Sequence, residues 1–212
     1  MLIYGEENST SAIIFLHGYM QTAHNAKLLL SKTITEKFLQ ELSLVCFFPS
    51  RRWFDYVDDT SFDYKAESLH IVRKYVHAQL DALRKAYQKV ILIGYSQGAS
   101  VALDAALTYG EINKIVIPVI AISGLLLSNL IVHPGEHYVN NKYTIYVAHG
   151  IYDSEIPLSL ANKSYTTTEI TKMCDFSGEH WNFWSNGQFV DFISDSLKEI
   201  IVMYRGTPTQ LS

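Results

Sequence analysis

The strongest constraint on the fold is a recurrence: a short unbroken apolar run ends at turn residues and gives way to an amphipathic stretch. Ala12-Ile13-Ile14-Phe15-Leu16 meets His17-Gly18, Leu44-Val45-Cys46-Phe47-Phe48 meets Pro49, and Val90-Ile91-Leu92-Ile93 meets Gly94. Two further runs, 115–122 and 143–148, stop at Ser123-Gly124 and His149-Gly150. Runs rich in Ile and Val, without polar alternation, read as parallel strands covered on both faces. Between them the spacing predicts helices over 25–41, 62–87, 97–109, 158–167 and 186–204. In the second of these, Leu69, Val72, Val76, Leu80 and Leu83 recur at intervals of three and four and mark one buried stripe. Alternating strands and helices joined by right-handed crossovers make an α/β architecture, with a mostly parallel central sheet and helices on both faces. No repeat or linker divides the 212 residues, so a single domain over 1–212 is expected.

Composition removes several classes of function. Charged residues are 18% of the chain, the net charge is −4, and no Lys/Arg cluster appears, so nucleic acid is not an expected partner. Cys46 and Cys174 form neither a CxxC pair nor a Cys/His metal pattern, and read as two small buried thiols in a reducing cytoplasm. The N-terminal segment from Met1 to Glu7 lacks the basic and apolar regions of a signal peptide, Leu2 excludes myristoylation, and the last four residues hold no prenylation box. The apolar stretch 115–132 is interrupted by Pro118, Ser123-Gly124 and Ser128-Asn129, so no stable membrane insertion is expected.

In sheets of this kind functional side chains gather in loops at the carboxyl ends of the strands. Gly94-Tyr95-Ser96-Gln97-Gly98 stands at such an end and reads G-x-S-x-G between an apolar run and a helix. That turn exposes a serine beside the free N–H groups of a helix N-terminus, which favour developing negative charge. A serine hydroxyl needs a base, and the base needs an acid to orient it. In this strand–turn–helix setting the expected chain order is serine, acid, histidine. Asp153 lies just past the run ending at His149-Gly150, and His180 just past a weaker strand at 171–176, so Ser96, Asp153 and His180 fall in that order.

Other carboxylates and histidines fit less well. Asp175 finishes the strand before His180, Glu179 adjoins the histidine and points elsewhere, and Asp104 lies two turns into the helix that follows Ser96. His70 and His77 fall on the long helix, His24, His133 and His137 in loops, and His149 in a tight His-Gly turn with a structural role. No metal-ligand spacing emerges from them, and no metal or cofactor is expected. For the oxyanion hole, the backbone N–H of Gln97 follows the nucleophile, and Gly18 leaves the N–H of Tyr19 free to point inward.

Taken together, Leu16-His17-Gly18, Arg52-Trp53-Phe54-Asp55, the Ser-Gln-Gly elbow, Ser123-Gly124, His149-Gly150 with Asp153, and Gly178 with His180 resemble the acyl-protein thioesterase and small carboxylesterase (phospholipase/carboxylesterase) family. The resemblance spans most of the chain and implies the α/β-hydrolase fold. It implies Ser96, Asp153 and His180 as triad, Tyr19 and Gln97 as oxyanion donors, and Trp53 and Phe54 as borders of an acyl pocket. Packing under a long loop is the other account of that aromatic pair.

Three departures from the family pattern stand out. Tyr19-Met20-Gln21-Thr22 replaces the usual Gly-Asp continuation, only Ser50-Arg51-Arg52 separate Pro49 from Trp53, and bulky Trp181, Phe183 and Trp184 follow the histidine. The expected activity is cleavage of a carboxylic ester or thioester through an acyl-serine. Its substrate would be a small acyl ester, a lysophospholipid or an acylated protein, and the protein a monomer or weak homodimer. A small-ester carboxylesterase without protein substrates and a silent hydrolase-like binder remain the alternatives.

Overall fold

The computed structural model describes residues 2–4, 9–22, 42–46, 52–57, 62–127 and 144–203. Among these residues seven strands form one sheet in the order β1-β3-β2-β4-β5-β6-β7. These are β1 (Leu2–Tyr4), β2 (Ser11–Leu16), β3 (Leu42–Cys46), β4 (Lys89–Tyr95), β5 (Val119–Ile122), β6 (Ile145–Gly150) and β7 (Lys172–Phe176). Strands β2 to β7 are mutually parallel, and only β1, at the edge, runs antiparallel to β3. β5 begins at Val119, four residues later than the apolar run, because Pro118 has no N–H to give the ladder. β1 was not expected from the sequence; three residues are too few for a periodic signal.

Among the described residues four α-helices cover the sheet: α1 (Ala66–Ala86), α2 (Gln97–Asn113), α3 (Leu158–Ser164) and α4 (Gly187–Met203). The stripe Leu69, Val72, Val76, Leu80 and Leu83 is buried on α1 as its spacing requires. α2 runs four residues beyond the expected end and stops where Lys114 turns left-handed at φ 55°. The expected helix over 158–167 divides into α3 and a 3₁₀ turn at Tyr165–Thr167. The expected helix over 25–41 lies outside the described residues, as do His24, His133 and His137.

The two faces of the sheet carry separate apolar clusters. On one, Ile14, Leu92, Val119 and Val147 pack with α1, α2 and Ala161 of α3. On the other, Ile13, Ile91, Ile120 and Tyr146 pack with Phe189, Ile193, Leu197 and Ile200 of α4. Helices on both faces of a mostly parallel sheet are the α/β-hydrolase architecture expected from the sequence. Cys174 is half-buried rather than buried, since β7 is an edge strand whose outer positions face solvent.

Candidate active site

Tyr95 pairs with Ile122 at the end of β4, and the N–H of Ser96 donates to the Ile122 carbonyl at 2.8 Å. Helix α2 begins at the next residue, so Ser96 must turn the chain within one position. It does so at φ 54°, ψ −122°, a left-handed backbone that costs a non-glycine residue about 1–3 kcal/mol. Room for this turn comes from Gly98, where a Cβ would strike the carbonyl oxygens of Leu16 and His17. The elbow is thereby pressed against the loop after β2. Ser96 O accepts from Ala99 N and Ser100 N at 2.9 and 3.3 Å, while the first N–H groups of a helix have no intrahelical acceptor.

Asp153 and His180 come from neighbouring strand ends. Their loops are laced together by Ile151 N to Phe176 O and Tyr152 N to Gly178 O, both 3.0 Å. Asp153 Oδ1 accepts from the N–H groups of Glu155 and Ile156 at 3.0 and 2.8 Å, which fixes the carboxylate rotamer. Its Oδ2 lies 2.7 Å from His180 Nδ1, and His180 Nε2 lies 2.9 Å from Ser96 Oγ. A carboxylate only accepts, so Nδ1 carries the proton and Nε2 offers its lone pair to the serine hydroxyl. All three side chains are buried; the serine, at 7% exposure, retains the most access.

More groups hold this constellation than the sequence motifs mark. His149 closes β6 instead of forming a turn, and its Nε2 donates to the Ile156 carbonyl at 2.8 Å while lying 3.4 Å from Asp153 Oδ2. Desolvation lowers its pKa, so the ring is neutral. The Gln97 side chain accepts from Trp53 N and donates to Phe54 O, both at 2.9 Å. Trp53 Nε1 donates to the His17 carbonyl at 2.7 Å. Trp53 and Phe54, expected at the acyl pocket, are 4% and 2% exposed and belong to the core cluster under α1. In the sequence, a glutamine between the elbow serine and Gly98, followed by the small residues Ala99 and Ser100, is the available sign of a side chain folded back into the protein.

The loop after β2 also has a defined shape. Gly18 N donates to Gln21 Oε1 at 3.1 Å, Gln21 N donates to Gly18 O at 3.2 Å, and Met20 sits at φ 61°. Gln21 therefore closes the turn in which Tyr19 lies, where the family's usual residues are absent. Leu125, Leu126 and Leu127 are buried after Ser123-Gly124, as ordinary packing requires. Asp104 is held by Arg73, and Asp175 and Glu179 are exposed outside the hydrogen-bonded chain. Among the described residues no group of three His, Cys, Asp or Glu side chains is placed to hold a metal.

Residues 2–201 match the phospholipase/carboxylesterase family. The chain belongs to that family. As a phospholipase/carboxylesterase member it is a carboxylic ester hydrolase of the serine type. No curated relative matches the sequence. Solved structures of the same fold include esterase PE8, at 18% identity and TM-score 0.72, covering 94% of this chain and 97% of that one. An Arabidopsis thaliana SOBER1 variant follows at 20% identity and TM-score 0.69, covering 90% and 99%. Zea mays acyl-protein thioesterase 2 has 18% identity and TM-score 0.67, covering 93% and 95%. No helix among the described residues is long and apolar enough to cross a membrane.

Proposed function

We propose that this phospholipase/carboxylesterase member cleaves carboxylic esters or thioesters through an acyl-Ser96 intermediate, with His180 as base and Asp153 as its orienting acid. The observation that carries the reading is the unbroken chain Asp153 Oδ2–His180–Ser96 Oγ, with links of 2.7 and 2.9 Å. His180 Nε2 takes the hydroxyl proton as Ser96 Oγ attacks the acyl carbon, and Asp153 stabilises the imidazolium. The N–H groups of Gln97 and Tyr19 receive the oxyanion, each donor contributing about 2.7–4 kcal/mol in the transition state. His180 then returns the proton to the leaving alkoxide or thiolate, and water repeats the sequence to free Ser96. Thiolates leave more readily than alkoxides, so one triad serves both bonds.

Exposed Tyr19, Met20, Ile151, Tyr152 and Trp181 stand in the loops that carry these groups and favour an apolar acyl moiety over a charged one. The same reading takes 1–212 as one domain, supported by two core clusters on a shared sheet. It takes the cytoplasm as the site of action, supported by the free thiol of Cys174, and a monomer or weak homodimer as the working form. A fluorophosphonate probe tests the chemistry: wild type should label and Ser96→Ala should not. A folded wild type that resists the probe would make the chain a binder. Hydrolysis of p-nitrophenyl esters of increasing length then sets the substrate class, and activity confined to two- to four-carbon acyl groups would exclude a depalmitoylating role.

A further inference from the structure

Tyr95, the residue between Gly94 and the serine, is completely buried. Its hydroxyl donates to the His180 carbonyl at 2.6 Å, and its ring lies against the His180 imidazole with centroids 5.4 Å apart. On another side it fills the space Gly18 leaves, since a Cβ there would come within 2.9 Å of Tyr95 Cδ1. Trp181, Phe183 and Trp184 surround the ring edge-on at 6.0, 5.8 and 5.1 Å, so it is packed on several sides. Burial, with the charges of Asp153 and Glu155, pushes the phenol pKa up, which keeps the hydroxyl a donor. Packing alone would be served by phenylalanine. A hydroxyl aimed at the backbone of the histidine calls for another explanation.

We infer that Tyr95 is a positioning residue, which fixes the His180 backbone and imidazole to the same strand end that presents Ser96. The inference rests on the proposed triad. Serine and histidine lie 84 positions apart in sequence, on loops that share no other direct hydrogen bond than Ser96 Oγ–His180 Nε2 and Tyr95–His180 among the described residues. Attack requires the imidazole to stay in line with the hydroxyl, and a misplacement of about 1 Å can cost roughly 100-fold in rate. The tyrosine supplies a second anchor one residue from the nucleophile. It works on the reaction through the histidine and touches no substrate.

Tyr95→Phe tests this without changing volume. With a soluble p-nitrophenyl ester, kcat should fall about tenfold, the worth of one well-placed hydrogen bond, while KM stays within about twofold. In proton NMR the low-field resonance of the His180–Asp153 hydrogen bond should broaden in the variant. Tyr95→Leu, which also removes the ring, should lower kcat further. Wild-type kcat with a sharp resonance in Tyr95→Phe would overturn the inference. So would a kcat loss accompanied by an equal rise in KM and a collapse of the melting temperature, the pattern of a packing residue. Ser96→Ala run alongside separates the two readings: undiminished turnover there sinks the serine mechanism, whereas an inactive Ser96→Ala beside a normal Tyr95→Phe sinks only the role of Tyr95.

Discussion

The indole Nε1 of Trp53 donates to the carbonyl of His17 at 2.7 Å, and the two rings pack with centroids 5.0 Å apart. Trp53 is thereby an anchor for the loop that would supply the Tyr19 oxyanion donor, whatever its indole also offers a substrate. Trp53→Phe keeps most of the ring but takes this donor away from a buried carbonyl, at a cost of about 1 kcal/mol. The expected result is a lower kcat and melting temperature, with the preference for acyl chain length unchanged. A shifted chain-length profile at wild-type stability would make Trp53 a pocket wall instead.

Gln97 serves two different ends with its two halves. Its backbone N–H is the proposed oxyanion donor, while its side chain spans Trp53 N and Phe54 O. Gln97→Met keeps the length and the backbone but leaves both partners without a bond. A loss of about 2–4 kcal/mol is expected, which lowers the melting temperature by several degrees in a chain of this size. Differential scanning calorimetry measures it. An unchanged melting temperature would mean that water replaces the amide and that this bridge does not hold the Trp53 segment.

Asp153 is bound at both oxygens, and the choice of substitution therefore matters. Asp153→Asn retains an acceptor for the Glu155 and Ile156 N–H groups, but it turns an amide NH₂ toward His180 Nδ1 or forces the other tautomer. Turnover should fall by about 10³–10⁴-fold with modest loss of stability. Asp153→Ala, by contrast, leaves the buried N–H of Ile156 and the part-buried N–H of Glu155 without their acceptor and should also lower the melting point. Near-normal kcat in Asp153→Asn would show that the triad runs without this carboxylate.

Buried His17 and His149, with half-buried His77, give the stability of the fold a sign with pH. Desolvation lowers the pKa of His17, His77 and His149 below the ordinary histidine value. In the range between those depressed values and about 6.5, the unfolded chain binds protons that the folded chain refuses, so stability rises with pH there. Their full contribution is present above about pH 6.5 and is lost as pH falls toward the folded-state values, by up to about 1.4 kcal/mol per pH unit for each proton. Urea midpoints measured from pH 8 to pH 5 should therefore decline on the acid side, and His149→Gln should decline less steeply. An equal slope in that variant would remove His149 from the account.

Much of this architecture was legible because buried parallel strands advertise themselves. The runs at Ala12-Ile13-Ile14-Phe15-Leu16 and Val90-Ile91-Leu92-Ile93 need no partner to be recognised, and Ser96 follows from the turn that ends one of them. Asp153 and His180 were legible by their order and their place after strands. β7 was faint because an edge strand alternates with solvent, and β1 because three residues carry no period. What escaped is the set of contacts between distant side chains and backbones: Tyr95 to His180, Gln97 to Trp53 and Phe54, and Trp53 to His17. Those bonds are made across 36 to 85 positions, and local spacing does not encode them.

Arg73 and Asp104 separate stability from catalysis. The guanidinium of Arg73 on α1 grips Asp104 on α2 in a bidentate pair, with Nε and Nη2 at 2.8 and 2.6 Å from the two carboxylate oxygens. The Asp104 side chain is 1% exposed, so the pair lies almost wholly out of water on its acidic side. Asp104 follows Ser96 by eight residues, about 12 Å along the helix axis, and shares no hydrogen bond with the proposed triad. Arg73→Met leaves that carboxylate buried and uncompensated, which should cost about 3–5 kcal/mol. Replacing both members, as Arg73→Met with Asp104→Leu, should recover most of the loss, because an apolar contact between two helices has no such penalty. Both variants should keep wild-type kcat at temperatures where they are folded, and chemical denaturation alongside ester hydrolysis reads the two properties separately. A loss of kcat in the folded double variant would reveal that α2 transmits the position of Asp104 to the elbow at its N-terminus.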